Sequence, residues 1–149
     1  MKLTIARKMA KDLMKEHGLV GWRFSFNNRK NGLGLCMIQQ KMIQLSRPIT
    51  KLNTEERMKY TILHEIAHAL TGCNHNWRWK QKCMEIGGDG KISADAAEVI
   101  APKGKVEYKC INCGHLMYTH RRCTRRFGCN KCTIGRRFDE ASEMKLVED

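Results

Sequence analysis

Two histidines and a glutamate near the middle of the chain have the spacing of a metal-dependent hydrolase site. They lie in the segment His64-Glu65-Ile66-Ala67-His68, which fits the pattern HExxH. Residues four apart share one face of a helix, so His64 and His68 can both bind one metal ion. Glu65 then lies close enough to take a proton from a metal-bound water. This is the chemistry of zinc-dependent peptide hydrolysis, with Glu65 as the catalytic residue.

The HExxH segment needs a third protein ligand, because a catalytic zinc ion usually takes three and leaves one position open. Four residues are candidates: His75, Cys73, Glu85 and Glu98. His75 is favoured because the helix should end near Gly72, after which the chain can turn back towards the first two histidines. The longer pattern HExxHxxGxxH is not met, since glycine and histidine each arrive one residue late.

Four cysteines form two CxxC pairs, Cys110/Cys113 and Cys129/Cys132, with 15 residues between the pairs. Two such pairs can enclose one zinc ion with four thiolates, in a closed site that stabilises a fold. A thioredoxin-type redox motif would explain one pair but not both. The sequence therefore predicts two zinc ions per chain, one catalytic and one structural. Outside this assignment are the alternative ligands His115, His120 and Cys123, and the thiols Cys36, Cys73 and Cys83, which have no assigned role.

The formal net charge of +13 on 149 residues is concentrated in two segments. Residues 1–30 carry 8 Lys/Arg and 2 Asp/Glu, and residues 101–138 carry 10 and 1. Residues 31–100 have a net charge of only +2, and residues 139–149 have −4. A sign asymmetry this local indicates a polyanionic partner, most often nucleic acid, either single-stranded or duplex. A basic surface that serves only solubility is the alternative.

The basic charge around the cysteine pairs suggests where nucleic acid would bind. Arginine side chains suit phosphate groups, and aromatic rings between them can stack on unpaired bases. The candidate DNA-binding residues are Arg121, Arg122, Arg125, Arg126, Lys131, Arg136 and Arg137. The interleaved aromatic residues, which could equally pack a small core, are Tyr108, Tyr118, Phe127 and Phe138.

The segments that must position these residues show helical and strand patterns in turn. The predicted helices cover residues 3–17, 54–70 and 76–86, and the predicted strands cover residues 22–26, 33–38 and 42–46. Asn53 is placed as the N-cap of the helix that carries HExxH. Because only short turns separate the three strands, we expect an antiparallel meander.

The elements together predict an α+β chain of three parts. Residues 1–100 form a helix, the meander and the active-site helix pair, residues 101–138 form a small basic zinc ribbon, and residues 139–149 form an acidic tail. The sequence has no run of about 18 uncharged apolar residues, as a membrane-spanning helix requires. The first residues are too charged for a signal peptide, so we expect a protein that is not secreted but cytoplasmic, either nucleoid-associated or in the cytoplasm of an infected host. We also expect a monomer.

These motifs in combination resemble the SprT-like metalloprotease family. The resemblance rests on residues 61–70 and on the following His75, Trp79-Lys80 and Ile86-Gly87. The cysteine module is similar to the zinc ribbon that follows the protease domain in many members. The resemblance implies a zincin-like core with His64, His68 and His75 as catalytic zinc ligands and Glu65 as general acid/base. The chain departs from many members at Asn76, where they have glycine.

The resemblance also implies a function, because the family includes the DNA-dependent protease Spartan, which digests proteins covalently trapped on DNA. We therefore expect a zinc metalloendopeptidase that acts on DNA-associated or DNA-crosslinked proteins and is stimulated by DNA. One alternative is a nucleic-acid-binding zinc-ribbon protein whose HExxH site is catalytically silent. The other is a peptidase that acts independently of DNA.

Overall fold

A computed structural model describes residues 1–133 and 138–148 of the chain. Helices and two small sheets confirm the predicted α+β class, and the chain separates into two units, Met1–Pro102 and Lys103–Asp149. The first unit contains α1 (Leu3–Glu16), β1 (Arg23–Asn27), β2 (Gly34–Met37), β3 (Met42–Ser46), α2 (Arg47–Leu52), α3 (Glu55–Thr71) and α4 (Trp77–Glu85). Among the described residues, none of the helices is long and apolar enough to span a membrane.

The sheet of the first unit has the strand order β1-β3-β2, so the predicted antiparallel meander is wrong. Strand β3 pairs in parallel with β1 and antiparallel with β2. The connection between β1 and β2 does not form a hairpin, because it crosses the end of β3. There Ser46 donates its hydroxyl to the backbone carbonyl of Arg29 at 2.6 Å and its N–H to that of Leu33 at 2.8 Å.

A short helix that the sequence pattern did not predict, α2, follows β3 without any loop. The Ser46 hydroxyl accepts a hydrogen bond from the N–H of Ile49, and proline lies in the first turn, where it costs no hydrogen bond. This helix displaces Asn53 from its predicted role as N-cap of α3. Asn53 instead ends α2. Its side-chain amide donates a hydrogen bond to the carbonyl of Ile100 at 2.7 Å and accepts one from the N–H of Ile100 at 2.9 Å.

The N-cap of helix α3 is Thr54, whose hydroxyl accepts a hydrogen bond from the backbone N–H of Arg57 at 3.2 Å. Two glutamates in the first turn suit the positive end of the helix dipole. The apolar face of α3 packs with α1 and the sheet into one core, formed by Ala10, Met14, Leu19, Phe24, Ile43, Leu45, Met58, Ile62 and Ile66. This packing fixes the rotation of α3 and thereby the direction of its histidines.

The second unit is a three-stranded antiparallel sheet in the order β5-β4-β6. Its elements are β4 (Val106–Cys110), β5 (Leu116–Thr119), a 3-10 turn (Glu140–Ser142) and β6 (Met144–Leu146). The segment expected to be an acidic tail therefore supplies a strand, because Met144 and Leu146 pack into the small core around Tyr108. The backbone N–H of Cys129 also donates to the carbonyl of Ser142 at 2.8 Å.

Candidate active site

Helix α3 places His64 and His68 one turn apart, with their Nε2 atoms 3.2 Å from each other. The Nε2 atom of His75, which lies beyond the end of the helix, is 3.0 Å from each of them. The three predicted ligands of the catalytic zinc ion therefore converge on one point, as the HExxH spacing and the ligand count indicated.

The turn at Gly72 brings His75 back to the helix. Gly72 has a φ of 110°, in the left-handed region that favours glycine, and its N–H donates to the carbonyl of His68 at 2.8 Å. The Gly72 carbonyl lies 2.9 Å from Nδ1 of His68. Since a carbonyl only accepts, His68 carries its proton on Nδ1, which leaves Nε2 free to bind a metal.

The other candidates for the third ligand lie outside the histidine cluster. Cys73 is exposed and belongs to neither of the two potential metal-binding groups found among the described residues. Glu85 forms a salt bridge with Lys82 at 2.9 Å. Glu98 instead bonds Arg57 at 3.3 Å. The geometry thus favours His75 over all three alternatives.

The three nitrogen atoms have the spacing that one zinc ion requires. Imidazole nitrogens bound at about 2.0–2.1 Å in tetrahedral geometry lie about 3.3 Å apart, close to the separations seen here. Burial and the neighbouring imidazoles lower the pKa of His64 to about 4, and burial also lowers the pKa of His68, so both rings are neutral as metal ligands must be. A zinc ion held there would supply Lewis-acid activation of a water molecule and of a peptide carbonyl.

Glu65 is a buried carboxyl group, with only 7% of the residue exposed. Burial raises its pKa to about 7, an effect that the positive charge of Arg29 and the backbone N–H of Cys36 partly oppose. A carboxyl group with this pKa can both accept and donate a proton near neutral pH, as a general acid/base must.

A cleft of about 270 Å³ opens beside His64 and Glu65. Its other lining residues are Leu33, Gly34, Arg57, Thr61 and residues 91–94. The segment after α4 forms one wall and is tied to α3, because Arg57 bonds Glu98 at 3.3 Å and lies 3.6 Å from Asp89. A peptide bound in this cleft would lie next to His64 and the Glu65 carboxyl group.

Trp79 packs against the histidine cluster from the interior of the protein. Its residue is fully buried, and its ring centre lies 4.7, 5.4 and 4.6 Å from those of His64, His68 and His75. The indole is stacked on His68 with an interplanar angle of 28°. The HExxH spacing carries no information about this residue, although Trp79 follows His75 by only four residues.

We expect Trp79→Ala to weaken both the fold and the metal site. Removing a buried tryptophan costs about 3–5 kcal/mol of unfolding free energy. Loss of the packing that orients three ligands should lower zinc affinity by about 10–100-fold, as loss of outer-shell partners does. Urea unfolding and competition with a chelator measure the two effects. Trp77→Ala is the matched control, because Trp77 is 70% exposed; equal effects of the two substitutions would contradict this role of Trp79.

The four cysteines of the CxxC pairs also converge. All four Sγ atoms lie within 4.8 Å of one another, with Cys110 and Cys132 3.9 Å apart and Cys113 and Cys129 3.8 Å apart. Thiolates bound to zinc at about 2.3 Å lie about 3.8 Å apart in a tetrahedron, so the group fits one zinc ion. The backbone N–H of Cys113 lowers the pKa of Cys110 to about 7, which favours the thiolate form.

The predicted DNA-binding residues of the second unit fall into three groups. Arg121, Arg122, Arg125 and Lys131 are exposed, and none of them makes a salt bridge within the described residues. Arg126 is instead bound by Glu143 through two hydrogen bonds of 2.7 and 2.9 Å. Arg136 and Arg137 lie outside the described residues.

The aromatic residues of the second unit divide between core and surface. Tyr108 and Phe127 meet edge to face in the core, with ring centres 5.0 Å apart. Tyr118 lies under the ammonium group of Lys103, which is 3.7 Å from its ring centre. Phe138 is 43% exposed and contacts the guanidinium group of Arg126. The two core aromatics are therefore not available for base stacking.

Three converging histidines beside a buried glutamate define a site of the metalloprotease class. The chain belongs to the SprT-like family, whose model matches residues 5–98. No curated protein matches the chain. Among solved structures, the metallopeptidase zymogen jannalysin of Methanocaldococcus jannaschii is similar, with 15% identity, a TM-score of 0.49, and coverage of 62% of this chain and 85% of that chain. The family and the site together make this protein a zinc protease in general terms.

Proposed function

We propose that the protein is a zinc endopeptidase that cleaves proteins bound or crosslinked to DNA, and that DNA stimulates this cleavage. Three histidine Nε2 atoms lie within 3.2 Å of one another, beside the buried Glu65 carboxyl group. This arrangement is the observation that supports the endopeptidase part of the proposal. The net charge of +9 over residues 101–138 and the known activity of Spartan, a member of the same family, support the DNA part.

In the proposed mechanism, the Glu65 carboxylate accepts a proton from the attacking water molecule and later donates it to the departing amine. His64, His68 and His75 would hold the zinc ion, and the carbonyl of Gly72 keeps His68 in the tautomer that would bind it. Burial of Glu65 keeps the carboxyl group fixed and limits competing contacts with water. The four-cysteine group would hold a second zinc ion, which would stabilise the ribbon.

The exposed cations of the ribbon, Arg121, Arg122 and Arg125, would hold DNA through its phosphate groups. Binding enzyme and substrate to the same DNA raises their effective concentration, which accelerates cleavage without any new contact at the active site. A catalytically silent binding protein and a DNA-independent peptidase are the two competing functions, and cleavage and binding assays separate all three.

A cleavage assay on a DNA-binding protein, presented free and crosslinked to DNA, tests the proposed function. We expect the zinc-loaded enzyme to cleave the crosslinked form faster, with the difference decreasing as salt concentration rises. Equal rates on both forms at every salt concentration would favour the DNA-independent peptidase. A failure to cleave either form, with the histidine site loaded with zinc, would leave only the silent binding protein.

The DNA part is tested further by replacing Arg121, Arg122 and Arg125 together with glutamine. If each contacts one phosphate, the slope of log affinity against log salt should become shallower by about 2–3 units. The matched control removes three exposed charges from the first unit by Lys51→Gln, Lys59→Gln and Lys80→Gln. Equal slopes for the arginine variant and the wild type would show that the ribbon arginines are not the DNA site.

A further inference from the structure

The first residue of strand β2, Gly34, packs directly against the side chain of Glu65. A Cβ atom built on Gly34 would lie 2.6 Å from Oε1, 2.8 Å from Cγ and 3.0 Å from Cδ of Glu65. Non-bonded carbon atoms are in favourable contact at about 3.5–4.0 Å, so even a methyl group at position 34 would collide with the carboxyl group.

The backbone conformation does not explain a glycine at this position. Gly34 is not among the glycines with positive φ, and it pairs with Leu45 as part of a regular antiparallel ladder. Glycine inside a strand is less favourable than alanine, because it loses more conformational entropy on folding. The lack of a side chain at Gly34 therefore leaves the space that the Glu65 side chain occupies.

The strand cannot move away from Glu65 without losing its place in the sheet. Gly34, Leu35, Cys36 and Met37 all pair with β3, and a slip by one residue would turn every side chain of β2 to the other face. The pairing of β2 with β3 therefore holds the backbone of Gly34 in place against the Glu65 side chain.

We propose that Gly34 is a positioning residue for Glu65, because the bare backbone of β2 packs against the carboxyl group and holds it in the cleft. The catalytic consequence rests on the proposed function, in which Glu65 transfers the proton. The contact itself is independent of that function and can be tested without any substrate.

A double-mutant cycle in protein stability tests the contact. We expect Gly34→Ala to lower the unfolding temperature of the wild type, because the new methyl group collides with Glu65. Glu65→Ala removes all three atoms involved, so in that background Gly34→Ala should be neutral or raise the unfolding temperature. The control is Ser25→Ala on the opposite edge strand β1, whose effect should add to that of Glu65→Ala. An equal loss from Gly34→Ala in both backgrounds would overturn the proposal.

The catalytic consequence is tested by kinetics on the zinc-loaded Gly34→Ala protein. Misplacing a reacting group by about 1 Å costs about 10²-fold in rate, and we expect this loss in kcat with KM and zinc content unchanged. Ser25→Ala should retain the wild-type kcat. An unchanged kcat for Gly34→Ala would overturn the positioning role. A wild type that hydrolyses no substrate would refute the proposed function instead, while the stability cycle would still decide whether Gly34 packs on Glu65.

Discussion

Glu65→Gln should lower kcat/KM for peptide hydrolysis by about 10²–10⁴-fold, the range that a general acid/base contributes. Glutamine has nearly the same size as glutamate, so it can occupy the buried position without opening a cavity. It cannot accept the proton of the attacking water, because its amide group is not basic. The three histidines are untouched, and zinc content measured by elemental analysis should equal that of the wild type.

The matched control for this substitution is Glu56→Gln. Glu56 lies on the same helix but is exposed in the first turn, away from the histidine cluster. It should retain activity within about twofold, as surface substitutions usually do. If Glu65→Gln cleaved substrate as fast as the wild type, Glu65 would not be the proton-transferring group.

The second large effect is expected for Cys110→Ser, which should remove one of two zinc ions and unfold the ribbon. Cys110 is buried, and its thiol faces the other three cysteines. Structural zinc contributes about 10–16 kcal/mol in small zinc-binding domains, far more than the core around Tyr108 can replace. Elemental analysis should give one zinc ion per chain, and limited proteolysis should cut within residues 103–148.

Cys123→Ser provides the control, because Cys123 is an exposed thiol of the same unit and is not part of the cysteine group. It should keep two zinc ions and resist proteolysis. The first unit has its own core, so Cys110→Ser should leave it folded and its histidine site loaded. Retention of two zinc ions by Cys110→Ser would contradict the structural zinc site.

The sequence predicted those parts of the molecule that depend on local spacing. The helix carrying His64 and His68 was predicted at 54–70 and found at Glu55–Thr71, because HExxH and its apolar positions obey one helical period. The convergence of the two CxxC pairs was likewise predicted from spacing alone. In both cases the residues that meet are close in sequence or have the spacing that coordination of one metal ion requires.

The parts that the sequence did not predict depend on contacts between distant segments. Strand β3 inserts between β1 and β2, an order that short connecting turns do not reveal. Trp79 and Gly34 acquire their places beside the histidine cluster and Glu65 only through tertiary packing. For the acidic residues 139–149 the sequence left open whether the tail frays or forms a short terminal element. Met144 and Leu146 form part of a strand there, because both side chains pack into the ribbon core.

The position of β6 in the ribbon also sets the order in which the two metal sites can mature during synthesis. The protease unit emerges from the ribosome first, and domains made first generally fold first. The ribbon sheet is complete only after residues 144–146 are made, since β6 pairs with β4 beside Cys110. Glu143, which anchors Arg126, is also made at this stage. The three histidines can therefore converge before the ribbon is made, whereas the sheet that surrounds the four cysteines is complete only once β6 has been made.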